Sequence, residues 1–218
     1  MQILFESKEL AVCVKPVGVS SQGEDAAAMP QLLSAQLGGT FFPIHRLDTQ
    51  TGGVMVYART QKAAAQLSAA VQKNLLRKEY LAVTEGVPAE KNGTLTDLLF
   101  HDRTKNKTYV VARRRAGVKE AVLDYDVLQT AAEGEKAYSL VHVRLHTGRT
   151  HQIRVQFSSR ALPLLGDGKY GSKDNRCSAA LWACRLSFPW EGENLTFSCP
   201  PPEVFPWTLF EKEPLSCI

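Results

Sequence analysis

Residues 43–53 read Pro43-Ile44-His45-Arg46-Leu47-Asp48-Thr49-Gln50-Thr51-Gly52-Gly53, and a later stretch reads Thr147-Gly148-Arg149-Thr150-His151-Gln152-Ile153-Arg154. The first offers a carboxylate nucleophile, Asp48, two residues after an arginine and ahead of two glycines. The second supplies Arg149 and Arg154: a guanidinium to hold a carboxylate ionised, and positive charge for a polyanion. Taken alone, Asp48 also fits an Asx-type turn or a cap ahead of Thr-Gln-Thr-Gly-Gly. Immediately beyond, Val54 to Ala58 reads as a strand, and Thr60 caps a helix predicted to run to about Asn74, with Leu67, Val71 and Leu75 at helical spacing. Around the second stretch, Ile153 and Phe157 at i and i+4 predict a helix over Thr150 to Arg160.

Further strands follow from alternation. Residues 10–14 form a short apolar strand stopped at Lys15-Pro16, where proline removes a donor. Tyr80 to Thr84, Tyr109 to Ala112 and Ala121 to Leu128 read as strands, and Tyr138 to His146 places Val141, Val143 and Leu145 on one face. Trp182, Cys184, Leu186 and Phe188 alternate in the same way, Leu195 with Phe197 marks an edge, and Pro200-Pro201-Pro202 leads into a C-terminal strand. Many strands with few helices predict an α+β fold with a large, mostly antiparallel sheet. No internal repeat or low-complexity linker divides the chain, so residues 1–218 are expected to form one domain.

Composition excludes more than it selects. With 44% hydrophobic and 22% charged residues the chain has ordinary globular content. No signal-like N-terminus and no apolar stretch near the ~20 residues of a membrane span is present, which predicts a cytoplasmic protein with no membrane partner. Cys13, Cys177, Cys184, Cys199 and Cys217 are odd in number and form no C-x-x-C pair, so reduced thiols are expected rather than disulfides or structural zinc. His142 and His146 lack the Glu of a zincin helix, and no metal site is expected there. The loop Gly166-Asp167-Gly168-Lys169-Tyr170-Gly171 lacks the spacing of a phosphate or dinucleotide fingerprint. A net charge of +4 does not name a partner, but its distribution is uneven. Between His101 and Lys119 lie Arg103, Lys105, Lys107, Arg113, Arg114, Arg115 and Lys119 against the single acid Asp102. Such a segment is either a solvated basic hairpin or a phosphate-binding surface.

Five blocks in one order resemble the RluA-type pseudouridine synthases. They are Lys15-Pro16-Val17-Gly18, His45 to Ala58, Lys78-Glu79-Tyr80-Leu81-Ala82, Thr147 to Gln156, and Pro163 to Gly171. Two positions depart from the family pattern: Gly52 stands where Ser is usual and Gln156 where His is usual. The resemblance implies the pseudouridine synthase fold, a mixed sheet with flanking helices and a central active-site cleft. It also implies a short form without the N-terminal RNA-binding domain of larger relatives, since little chain precedes Lys15.

In that family uridine is isomerised by breaking the N1–C1′ bond, turning the uracil and rejoining it through C5. No redox change or group donor is involved, so no cofactor is expected. The resemblance makes Asp48 the catalytic carboxylate, Arg154 its paired cation, and Tyr80 the ring that stacks on the target base and assists loss of the C5 proton. Arg46 is expected to fill the space of a flipped base, a step that costs a few kcal/mol, with His45 orienting its loop. Arg149 is placed to meet a phosphate or close the pocket, and Lys105, Lys107, Arg113, Arg114 and Arg115 to bind RNA. Gly52 and Gly53 are expected to give sugar or base close access to the backbone. The expected partner is ribosomal or transfer RNA, met by a monomer with no obligatory protein partner. The alternatives are an inactive RNA-binding or chaperone protein on the same scaffold, and a glycoside hydrolase, for which no second catalytic acid stands out.

Overall fold

The computed structural model describes residues 1–212. In chain order the strands are β1 (Ile3–Glu6), β2 (Leu10–Lys15), β3 (Phe42–Pro43), β4 (Gly52–Ala58), β5 (Arg77–Glu85), β6 (Asn92–Asp102), β7 (Lys107–Val110), β8 (Val118–Glu133), β9 (Lys136–Leu145), β10 (Leu181–Trp190) and β11 (Glu193–Ser198). The helices are α1 (Met29–Leu37), α2 (Gln61–Gln72) and α3 (Gln152–Ser158). The chain divides into two compact units: Met1–Lys78 with Trp182–Pro200, and Glu79–Leu181 with the residues from Pro201 on.

The first unit is built on β4, every residue of which is buried. A strand buried on both faces needs an unbroken apolar run, which is what Val54-Met55-Val56-Tyr57-Ala58 supplies. It pairs antiparallel with β2, from Leu10↔Ala58 to Lys15↔Gly53, and parallel with β10 at Trp182↔Gly52 and Ala183↔Gly53. β1 extends the sheet beyond β2, while β11 pairs antiparallel with β10. α2 starts where expected, with the Thr60 hydroxyl accepting from the Ala63 amide at 3.1 Å, and buries Ala63, Leu67 and Ala70 as it packs on β4. Leu75, expected on that face, is exposed: the helix ends at Gln72 and Asn74 turns the chain at a φ of 55°. The short helix α1 was not foreseen. It opens at Ala28 with no side-chain cap and relies on Pro30 and on buried Met29 and Leu33.

The second unit is an antiparallel sheet in the order β5-β9-β8-β6-β7. α3 packs on β6 and β7 through a core of Leu99, Ala121, Val155 and Tyr170, with Phe157 edge-on to Tyr125 at 5.7 Å between ring centroids. Each unit combines strands with flanking helix, the expected α+β class. After Pro202, where a strand was expected, the described residues form one turn of 3-10 helix at Trp207–Leu209, in which Trp207 is buried, and the end of that stretch lies outside the described residues. Among the described residues no helix is long and apolar enough to cross a membrane.

Candidate active site

Asp48 lies half-buried in the loop between β3 and β4, and that loop is fastened along its length. Lys15, at the end of β2, is fully buried, and its ammonium donates to the carbonyls of Pro16 at 2.9 Å, Val19 at 2.7 Å and Thr49 at 3.3 Å. The Gly18 amide also donates to the Thr49 carbonyl, and the Thr51 amide closes a turn on the carbonyl of Asp48. Ser21 donates to the Leu47 carbonyl at 3.0 Å, and the buried Tyr57 hydroxyl in turn donates to the Ser21 carbonyl at 2.8 Å. Residues on both sides of the acid therefore have fixed backbone positions. Burial lowers the Lys15 pKa to about 8, although the Asp48 carboxylate opposes that fall. Lys15 belongs to a quoted motif block, yet no signal in the sequence marked it as buried.

His45, expected to orient its loop, is bonded to the backbone of β4. Its Nε2 accepts from the Val56 amide at 3.3 Å, and burial, helped by the charge of Lys78, lowers its pKa to about 3, so the ring is neutral. Being buried, its ring offers almost no surface of its own to a ligand. Arg46, by contrast, is exposed.

The two glycines have a different reason from the one expected. A Cβ at Gly52 would overlap the Trp182 ring and come within 3.1 Å of the Lys15 carbonyl, and one at Gly53, where φ is +121°, would overlap the Ala183 backbone. It is β10, rather than a sugar or base, that these positions admit. The departure at Gly52 thus has a partner in this chain, because the Trp182 ring fills the place of the missing side chain.

In the second unit Tyr80 is buried on β5, paired across the ladder with Val143. Arg154 is buried on α3 and bound by Asp167, with Nε to Oδ2 at 2.6 Å and Nη2 to Oδ1 at 2.7 Å. Two parallel hydrogen bonds fix the plane of the guanidinium as well as its position. The same guanidinium lies 5.0 Å from the centre of the Tyr170 ring. The Tyr170 hydroxyl accepts from the Thr108 amide at 2.8 Å and is 2.8 Å from His151 Nδ1, while burial pushes its pKa up and keeps it protonated. The glycine-rich block Gly166 to Gly171 therefore serves to hold a cation. Gly166 adopts φ +79° with the Cys177 and Ser178 carbonyls packed against it, and the amides of Tyr170 and Ser172 both donate to the Asp167 carbonyl. Sequence reasoning quoted this block without assigning Asp167 or Tyr170 a role.

The block before α3 folds around Gln152, whose Oε1 accepts from the Thr147 hydroxyl at 2.8 Å and the Arg149 amide at 3.0 Å. Arg149 directs its Nε to the Glu120 carbonyl at 2.8 Å. Gln156, the second departure, is fully buried and donates to Asp97 Oδ2 at 2.8 Å and the Leu95 carbonyl at 3.2 Å, fastening α3 to β6. Lys105, Arg113, Arg114 and Arg115 are exposed and Lys107 is half-buried. His142 and His146 pair with Glu79 at 2.9 Å and Asp124 at 2.6 Å. Cys13, Cys184 and Cys199 are buried and Cys177 is half-buried, whereas Cys217 lies outside the described residues. Burial pushes the Cys13 thiol up to about 12, which leaves it inert.

Residues 9–159 match the family model described as RNA pseudouridylate synthase. An uncharacterized RNA pseudouridine synthase of Zymomonas mobilis is 34% identical over 219 residues, covering 94% of this chain and 95% of the relative. Ribosomal large subunit pseudouridine synthase D of Haemophilus influenzae is 35% identical over 179 residues, covering 74% of this chain but only 53% of the relative. Among solved structures, human RNA pseudouridylate synthase domain containing 1 superposes with a TM-score of 0.82 at 25% identity, covering 93% of this chain and 84% of that one. On the family match and these relatives, the chain belongs to the RNA pseudouridylate synthase family, enzymes that isomerise uridine in RNA to pseudouridine.

Proposed function

We propose that this chain modifies specific uridines in structured ribosomal or transfer RNA, acting in the cytoplasm as a monomer without a cofactor. Residues 1–218 are read as one catalytic domain, because the motif blocks are shared out between the two compact units and neither unit carries them all. Asp48 acts on the ribose as the N1–C1′ bond breaks, and Arg154 is its cation. Tyr80 stacks on the uracil and assists loss of the C5 proton as the C5–C1′ bond forms. Arg46 fills the space of the everted base, and Arg149 with the cations of residues 105–115 holds the phosphates.

The observation that carries this reading is the fastening of the Asp48 loop. A carboxylate that only capped a turn would need no buried lysine bonded to three carbonyls around it. Ribosomal RNA is favoured as substrate by the name of the Haemophilus relative. Asp48→Asn is expected to abolish pseudouridine formation, scored by chemical labelling of RNA, while leaving RNA affinity nearly unchanged. Wild-type turnover in that variant would show that Asp48 is not the catalytic carboxylate, whereas RNA binding without pseudouridine formation by the parent chain would support the inactive RNA-binding reading of the scaffold.

A further inference from the structure

The edge of the second unit's sheet carries aromatic rings on the face turned away from α3. Opposite residues of an antiparallel pair share a face, and β6 pairs with β7 at Phe100↔Tyr109 and with β8 at Phe100↔Val118. Phe100, Tyr109 and Val118 therefore form one row across three strands. Their neighbours Leu99 and Thr108 point the other way and are buried, Leu99 in the core with Val155 of α3. Tyr109 is 36% exposed, so its ring is open to a ligand.

Cations already gather over these rings. The Arg115 guanidinium lies 4.7 Å from the centre of Phe100, and the Lys107 ammonium lies 5.9 Å from that of Tyr109. Of the consecutive arginines 113–115, Arg114 alone among the described residues is ion-paired, to Glu120 at 2.8 Å. Asp102, the acid of the segment, is turned inward on its own loop, where Oδ1 accepts from the amides of Thr104 and Lys105. An accessible ring row bordered by unneutralised cations complements a chain that is anionic along its backbone and aromatic on its side groups. A duplex hides its bases, whereas an unpaired strand presents them.

We propose that this face is a stacking platform for an unpaired RNA segment beside the target nucleotide, with Tyr109 as the base-stacking ring and Lys107, Arg113 and Arg115 as phosphate contacts. It rests on the RNA reading above and adds strand selectivity to it. The open edge of β7 is tied towards Arg154, since the Thr108 amide donates to the hydroxyl of Tyr170, whose ring lies 5.0 Å from the Arg154 guanidinium.

The test compares binding of the full chain to a ten-nucleotide single-stranded RNA and to a blunt RNA duplex of the same length. Tyr109→Ala is expected to weaken single-strand binding by about 5- to 150-fold, the worth of one stacked base, with little change in duplex affinity or salt slope. Tyr109→Phe keeps the ring and is expected to bind as the parent does. Equal losses on both RNAs, no loss on either, or a Phe variant as weak as the Ala variant would overturn the proposal, the second outcome pointing to a protein partner for this face. Affinity is read without turnover, so an inactive chain that still selects single strands through Tyr109 would sink the catalytic reading and leave this one standing.

Discussion

Lys15 and Arg154 are both buried cations, and they are held by opposite means. Lys15 is surrounded by carbonyl dipoles, three of which accept from its ammonium, whereas Arg154 has a full counter-charge in the bidentate Asp167. Dipoles compensate a buried charge incompletely, so the Lys15 pKa falls to about 8 and the group titrates near physiological pH. A guanidinium does not deprotonate in that range, and its carboxylate partner makes the pair a fixed fixture. The Asp48 loop is thus fastened by a group that can lose its charge, and α3 by one that cannot.

The largest effect is expected from breaking the fixed pair. Asp167→Ala removes the bidentate partner of the buried Arg154, and breaking a buried pair in this way costs up to about 3–5 kcal/mol. Urea unfolding should show the loss as a lower midpoint at unchanged slope. Asp167→Asn, which retains one acceptor oxygen, should recover part of it. A midpoint within about 0.5 kcal/mol of the parent, the range of an ordinary surface substitution, would mean that Asp167 does not compensate Arg154.

Removing the other cation should cost less. Lys15→Met strips one donor from each of three carbonyls, at about 1 kcal/mol apiece, partly offset because no ammonium is then desolvated. The pH dependence sharpens the contrast. The folded pKa of Lys15 lies below its ordinary value of 10.5, so the unfolded chain binds more protons between about 8 and 10.5. The contribution of Lys15 to stability therefore rises with pH across that window and is lost as pH falls through about 8. Turnover is expected to move the other way, falling above pH 8 as Asp48 loses the neighbouring positive charge and Thr49 its anchor. Lys15→Met should lack this alkaline limb, whereas the Asp167 variants should keep it. His45, with its pKa near 3, should add no transition between pH 5 and 7.

The same contrast separates what the sequence made legible from what it hid. β4 was readable because a strand buried on both faces needs an unbroken apolar run, β10 because Trp182, Cys184, Leu186 and Phe188 alternate along it, and α3 because Ile153 and Phe157 repeat at helical spacing. α1 lacks a capping side chain and was passed over, and β6 lacks the alternation that betrays a half-buried strand. Lys15 and Asp167 were quoted inside motif blocks but given no task, since a lysine or aspartate is exposed by default and its burial depends on partners far along the chain. Asp48, Arg46 and Tyr80 were named through the family resemblance, while Arg154, expected as the cation of Asp48, is bound by Asp167, a partner that was not foreseen. The glycines were seen correctly as close approaches, but what approaches them is set by the pairing of β4 with β10, which no local pattern records.

That pairing gives the smallest and most specific expected effect. Gly52→Ser restores the residue usual in the family, but here its Cβ meets the Trp182 ring, whose indole Nε1 is held by the Cys199 carbonyl at 2.9 Å. The ring cannot withdraw without giving up that hydrogen bond, so the substitution should destabilise by about 1–2 kcal/mol, as modest overpacking does. Replacing Trp182 by Leu removes the obstruction, so Gly52→Ser should cost less in that background than in the parent. A double-mutant cycle on unfolding midpoints measures this coupling directly. If the two changes are additive, Trp182 does not fill the space vacated at position 52, and the departure from the family pattern has another cause. If they couple, the Asp48 loop is buttressed from β10 as well as from Lys15, and a residue more than a hundred positions away in sequence helps to set the backbone just beyond the acid.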